Sequence, residues 1–225
     1  MEELERLLQA NTVFVSLSPS ELKELARLAR GRAYQKDERV ILRGEVWPYL
    51  FLVGEGGMDA VKESPEGRNL LVTTFPAGEV FWGLAFFQDG APMPVTLEAR
   101  EASKLHLWSR EAVTPIFERN GRVGWELCRL MAGRMQRASA ILEEMAFQPV
   151  AGRLARLLLD HFELAGDAAI SRHLTLDEMA ARIGSTREMV CRALYSFSDK
   201  NLIEVTRTEF VLTNRDGLAR LLDGG

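Results

Sequence analysis

The sequence predicts an α+β chain: an N-terminal jelly-roll β-barrel, one long helix and a C-terminal winged helix-turn-helix. Three observations carry this. Between Arg32 and Trp108, short β-rich runs alternate with Gly and Pro turns, the pattern of an all-β roll. From Ser109 to Met145, apolar residues recur at three and four, which is a helical period. Residues 175–197, TLDEMAARIGSTREMVCRALYSF, read as two short capped helices around a tight turn. The domains expected are 1–110, 111–146 and 147–225.

In chain order, residues 2–10 form a short helix and Ser18-Pro-Ser-Glu21 starts another, with Ser at the N-cap, Pro at N1 and Glu at N3. Strand-like runs follow at 40–42, 49–53, 58–61, 69–75, 95–99 and 104–108. The long helix carries a heptad seam of Cys128, Met131, Met135, Ala138, Leu142 and Met145. A second stripe, Leu127, Leu130 and Ile141, supplies a face for the β-roll. Two apolar faces imply two partners, so the Met-rich seam is assigned to a homodimer. Pro149 sits at a hinge, and 150–164 form a helix with Leu154, Leu157, Leu158 and Phe162 inward. Residues 166–169 read as a loop, and 202–206 with 210–213 as a hairpin wing.

Within the motif, Thr175 and Glu178 make a capping box, Gly184 stops the first helix, and Ser185 or Thr186 caps the second. Val190, Ala193, Leu194 and Phe197 face inward; Arg187, Glu188, Cys191, Arg192 and Tyr195 face outward. Arg forks onto guanine O6 and N7, and Glu accepts from cytosine N4. A solvated helix face would carry the same charges, but the paired caps and Gly turn favour a recognition helix.

The segment 184–192, GSTREMVCR, resembles the helix-turn-helix of the CRP/FNR transcription regulators, whose core runs G-x-S-R-E-T-V-x-R. Gly184, Arg187, Glu188, Val190 and Arg192 match, Thr186 replaces Ser, and Met189 departs. The β region resembles that family's cyclic-nucleotide-binding roll in its turns at Gly44, Gly54–Gly57, Gly67 and Gly78-Glu79, with Asp37 where the family often has Gly. The resemblance implies a homodimer that reads a palindromic, TGTGA-like site in double-stranded DNA, with RNA polymerase as a further partner. Arg187, Glu188 and Arg192 would read bases, Met189 would pack on a thymine methyl, and Thr175 and Thr186 would hold phosphates.

The same resemblance places the effector pocket at Phe81, Trp82, Leu84, Met93 and Ser139. The family's cyclic-AMP sites carry Gly-Glu-Leu and, about ten residues on, Arg-Ser; here the aligned residues are Trp82-Gly-Leu84 and Met93-Pro94. A buried phosphate without a counter-charge is disfavoured, so cyclic nucleotide is not expected. The aromatic residues leave two readings open, a filled core or an apolar ligand pocket. Some relatives sense gases through haem, for which His106 and Cys128 are the candidate ligands, although a lone strand His is more often structural. An iron–sulfur cluster needs about four Cys, and the chain has 2. No cofactor is therefore expected, and a ligand- or haem-responsive signalling module is the alternative.

Composition agrees with this class. A net charge of −4 argues against a non-specific nucleic-acid coat protein without excluding a sequence-specific reader. No run approaches the ~18 apolar residues of a membrane span, and MEELERLL is unlike a signal peptide. A cytoplasmic location follows. His106, His161 and His173 fall in three separate segments, which disfavours a jelly-roll metal enzyme.

Overall fold

The computed structural model describes residues 2–166, 169–171 and 174–223. Part of the expected 166–169 loop, and His173, lie outside the described residues. The chain divides into two compact units, 1–62 with 72–135, and 63–71 with 136–225.

The first unit opens with α1 (Glu2–Ala10) and α2 (Pro19–Leu28). Ser18 and Glu21 form a capping box at the start of α2, worth about 0.5–2 kcal/mol at a helix N-terminus. The strands are β1 (Arg30–Tyr34), β2 (Arg39–Ile41), β3 (Tyr49–Glu55), β4 (Gly57–Glu63), β5 (Asn69–Pro76), β6 (Val80–Trp82), β7 (Thr96–Ala99) and β8 (Ser103–Ser109). They make two four-stranded sheets, ordered β1-β8-β3-β6 and β2-β7-β4-β5. Phe51, Val53, Phe81, Leu105 and Leu107 of the first sheet pack with Ile41, Met58, Ala60, Leu97 and Ala99 of the second in one core.

The other face of the first sheet is also covered. Leu50, Leu52, Val80 and Trp108 pack with Leu4, Leu8, Leu22, Leu25, Val113, Ile116, Val123 and Leu127. Burial on both faces explains why β3 reads as a continuous apolar run rather than an alternating one. The buried Trp108 indole donates to the Leu25 carbonyl at 2.8 Å, which satisfies its N–H. Asp37 has φ +65°, the left-handed conformation a Gly would adopt and which Asp tolerates.

Two helices replace the single one expected from Ser109 onward: α3 (Arg110–Arg119) and α4 (Gly121–Phe147). Asn120 breaks them apart at φ −126°, ψ 84°; its amide donates to the Ser16 carbonyl and its Oδ1 accepts from the Arg122 N–H. On α4, Leu127 is buried and Leu130 packs beside it in the helix-side core, whereas Ile141 is exposed.

The second unit holds α5 (Val150–Ala165), β9 (Ala169–Ser171), α6 (Leu176–Ile183), α7 (Arg187–Asp199), β10 (Ile203–Val205), β11 (Glu209–Leu212) and α8 (Arg215–Arg220). Its core joins Leu154, Leu158 and Phe162 of α5 to Met179 and Ile183 of α6 and to Val190, Leu194 and Phe197 of α7. The wing has three strands rather than two, in the order β10-β11-β9, with Phe210 opposite Ile170. The fold is thus a β-roll, a long helix and a winged helix-turn-helix.

Candidate nucleic-acid interface and sensor site

The helix-turn-helix is built from its caps. Thr175 Oγ1 accepts from the Glu178 N–H at 3.1 Å, and the Glu178 carboxylate accepts from the Thr175 N–H at 2.7 Å. Gly184 closes α6 at φ +61°, a conformation costly for residues with a Cβ. Thr186 caps α7 by accepting from the Met189 N–H at 3.3 Å. Arg153 of α5, which sequence reasoning gave no role, donates from Nε to the Ile183 carbonyl at 2.8 Å and from Nη1 to the Gln148 carbonyl at 2.7 Å. It thereby satisfies a carbonyl at the open end of α6.

Because Val190, Ala193, Leu194 and Phe197 are buried, the helical period turns the charged residues outward. The side chains of Arg187, Glu188 and Arg192 are 67%, 72% and 70% exposed. Met189 is exposed beside them. Arg192 Nη2 meets Glu188 Oε1 at 2.5 Å along the helix, and Arg187 Nη1 meets Asp177 Oδ2 of α6 at 3.4 Å. Thr175 is exposed and Thr186 half-buried. Each hydroxyl accepts from a backbone N–H and retains its own O–H for an outside acceptor. At the wing, Thr206 Oγ1 accepts from the Glu209 N–H at 2.9 Å, holding the turn on which Arg207 is exposed.

The predicted pocket residues differ in burial. Phe81 and Met93 belong to the inner core, Trp82 packs against the helix-side core, and Leu84 and Ser139 are exposed. Phe81 is stacked between Phe51 and Phe75, with ring centroids 4.5 Å away on either side. Beyond them lies Arg134, which the sequence reading missed. Its guanidinium is 5.0 Å from the Phe75 centroid and 4.6 Å from the Trp82 centroid. It also donates to the Val80 carbonyl and approaches Glu79 Oε2 at 3.5 Å. A side chain at Gly83 would overlap the Trp47 carbonyl oxygen.

His106 faces the helix-covered side of the first sheet. A Cβ at Gly54 would stand 2.9 Å from its Nε2, so the ring lies directly against the backbone there. Burial, reinforced by the Lys104 charge, holds its pKa below the ordinary imidazole value.

Along the predicted seam, Met135 and Leu142 are 71% and 67% exposed. Cys128, Met131 and Ala138 are exposed, and Met145 is half-buried with its Cε against Gly184.

Comparison with known proteins agrees with both halves. Residues 31–120 match the model of the cyclic nucleotide-binding domain and residues 152–221 that of the Crp-like helix-turn-helix domain. A CRP-like cAMP-activated global transcriptional regulator of Mycobacterium tuberculosis is 24% identical over 224 residues, 96% of this chain and 99% of the relative. The cAMP-activated global transcriptional regulator CRP of Haemophilus influenzae is 25% identical, over 76% of this chain and 78% of the relative. Among solved structures, a crp/fnr-family transcriptional regulator of Eubacterium rectale superposes with a TM-score of 0.77 at 20% identity, over 94% of this chain and 98% of that one. The c-di-GMP responsive global regulator CLP of Xanthomonas campestris gives 0.76 at 20% identity, over 87% and 99%. Among the described residues, no helix is long and apolar enough to cross a membrane.

Proposed function

Because the chain belongs to the CRP/FNR family of DNA-binding transcription regulators, we propose that it acts in the cytoplasm as a homodimer reading a palindromic, TGTGA-like site. The single observation that carries this is the outer face of α7, where Arg187, Glu188 and Arg192 are each about two-thirds exposed. Arg187 and Arg192 fork onto guanine O6 and N7, and Glu188 accepts from cytosine N4. Met189 packs on a thymine methyl. Thr175 and Thr186 donate their hydroxyl protons to phosphate, which positions the helix without reading sequence.

The dimer reading is supported by the exposed Met135 and Leu142 on a 27-residue helix. Parallel pairing along this seam presents two recognition helices to successive major grooves, about one turn apart. RNA polymerase is the further partner proposed.

Cyclic AMP is not the effector in this reading. Gly83 stands where relatives' sugar-binding Glu stands, and the Trp47 carbonyl leaves it no room for a side chain. Met93, in place of the phosphate-binding Arg, is buried in the core. Arg134 occupies the gap between Phe75 and Trp82.

The test is selection of duplexes from a randomised palindromic pool, followed by fluorescence anisotropy of the protein and of Arg187→Ala. Selective binding lost in the variant supports the reading; equal affinity for selected and scrambled duplexes refutes it.

A further inference from the structure

Asp177 is the second residue of α6, and Arg187 the first of α7. The left-handed Gly184 and the extended Thr186 (φ −111°, ψ 153°) fold the chain between them. Arg187 Nη1 thereby comes within 3.4 Å of Asp177 Oδ2, with both side chains about two-thirds exposed. The pair differs in kind from Glu188–Arg192. The latter is four residues apart on one helix and would form in an isolated helix. The former crosses the turn and exists only when the turn is made.

An exposed ion pair contributes little to folding. Its effect on recognition is larger. The guanidinium is a planar fork of donors, so a carboxylate on one edge restricts its plane and leaves other donors free. The long side chain then has less rotamer freedom to lose on meeting a base. The same carboxylate lies beside the surface offered to DNA, where it repels phosphate of any sequence.

We propose that Asp177 is a specificity-determining residue: it aims Arg187 at a guanine and weakens binding to every duplex that offers none there. This rests on the DNA-reading role of Arg187 proposed above.

The experiment compares the full-length protein with Asp177→Asn, Asp177→Glu and Asp216→Asn. Asp216 lies in the first turn of α8, so its variant makes the same charge change on another helix. The probes are a selected palindromic duplex, the same duplex with its guanines replaced, and a scrambled duplex, each titrated over a range of salt.

Asp177→Asn should bind scrambled DNA about three- to five-fold more tightly, with a smaller change on the selected duplex, so the ratio falls. Its salt slope should steepen by about 0.9, one phosphate contact, as Arg187 is released. Asp177→Glu should restore most of the ratio, and Asp216→Asn should leave it at the wild-type value. Circular dichroism melts check folding, and Asp177→Ser replaces Asp177→Asn if the latter fails to fold. An unchanged ratio in Asp177→Asn, or an equal fall in Asp216→Asn, overturns the inference while the regulator reading stands. Failure of the unaltered protein to discriminate among duplexes overturns both.

Discussion

The guanidinium of Arg134 lies 4.6 Å from the centre of the Trp82 ring. Phe75 stands 5.0 Å away on the same cation. A cation held between ring faces and hydrogen-bonded to a backbone carbonyl ties α4 to β5 and β6. A partly desolvated cation–π contact contributes about 0.5–2 kcal/mol. Arg134→Ala should lower the melting temperature by a few degrees, roughly 2–4 °C per kcal/mol for a chain of this size. Arg134→Lys should recover only part, since an ammonium does not stack as a planar fork does. Differential scanning fluorimetry checks both.

Gly83 tests the cyclic-nucleotide question. Placing a carboxylate there with Gly83→Glu should not create a cyclic-AMP site, because the side chain overlaps the Trp47 carbonyl. The variant should instead be destabilised by about 1–3 kcal/mol, as overpacked sites are. Isothermal titration with cyclic AMP should give no binding heat for either protein.

The stability of the first unit should depend on pH through His106. Burial depresses its folded pKa, so the unfolded chain takes up a proton before the folded one does. Stability is then full above the ordinary imidazole value of about 6.5 and is lost as pH falls below it, towards the lower folded pKa. His106→Gln should flatten the fall in melting temperature between about pH 7 and pH 5. An unchanged profile would show that other groups set it.

Met135 sits on the exposed seam of α4. In parallel pairing each Met135 faces its twin, so Met135→Glu sets two like charges together in an apolar contact. Sedimentation velocity should report a monomer, and operator affinity should fall with it. A stable dimer in this variant would move the interface elsewhere.

What could be read in advance depended on whether the signal was local. The helix-turn-helix was legible because Thr175, Glu178, Gly184 and Thr186 are caps that act within a few residues, and because Val190, Leu194 and Phe197 repeat with the helix. β1 was missed because four of its five residues are exposed, leaving no alternation to see. β6, Val80–Trp82, was missed because Phe81 and Trp82 were assigned to the effector pocket instead. The break between α3 and α4 had a signal in Asn120-Gly121 that the apolar period on either side obscured. Arg134 lies more than 50 residues from Phe75 and Trp82, so no local pattern marks their meeting. One signal was available: Leu127, Leu130 and Ile141 define a stripe in which Arg134 fills the heptad position seven residues after Leu127.

If the outer face of α7 reads base sequence, as proposed, the effect is concentrated at Arg187. Anisotropy titrations of Arg187→Ala against a selected palindromic duplex and its scrambled counterpart separate reading from simple attraction. Arg187→Ala should lose about 1–3 kcal/mol per half-site on the selected duplex, with little change on the scrambled one and relaxed preference at one base position. An equal loss on both duplexes would contradict it, reducing Arg187 to a phosphate contact.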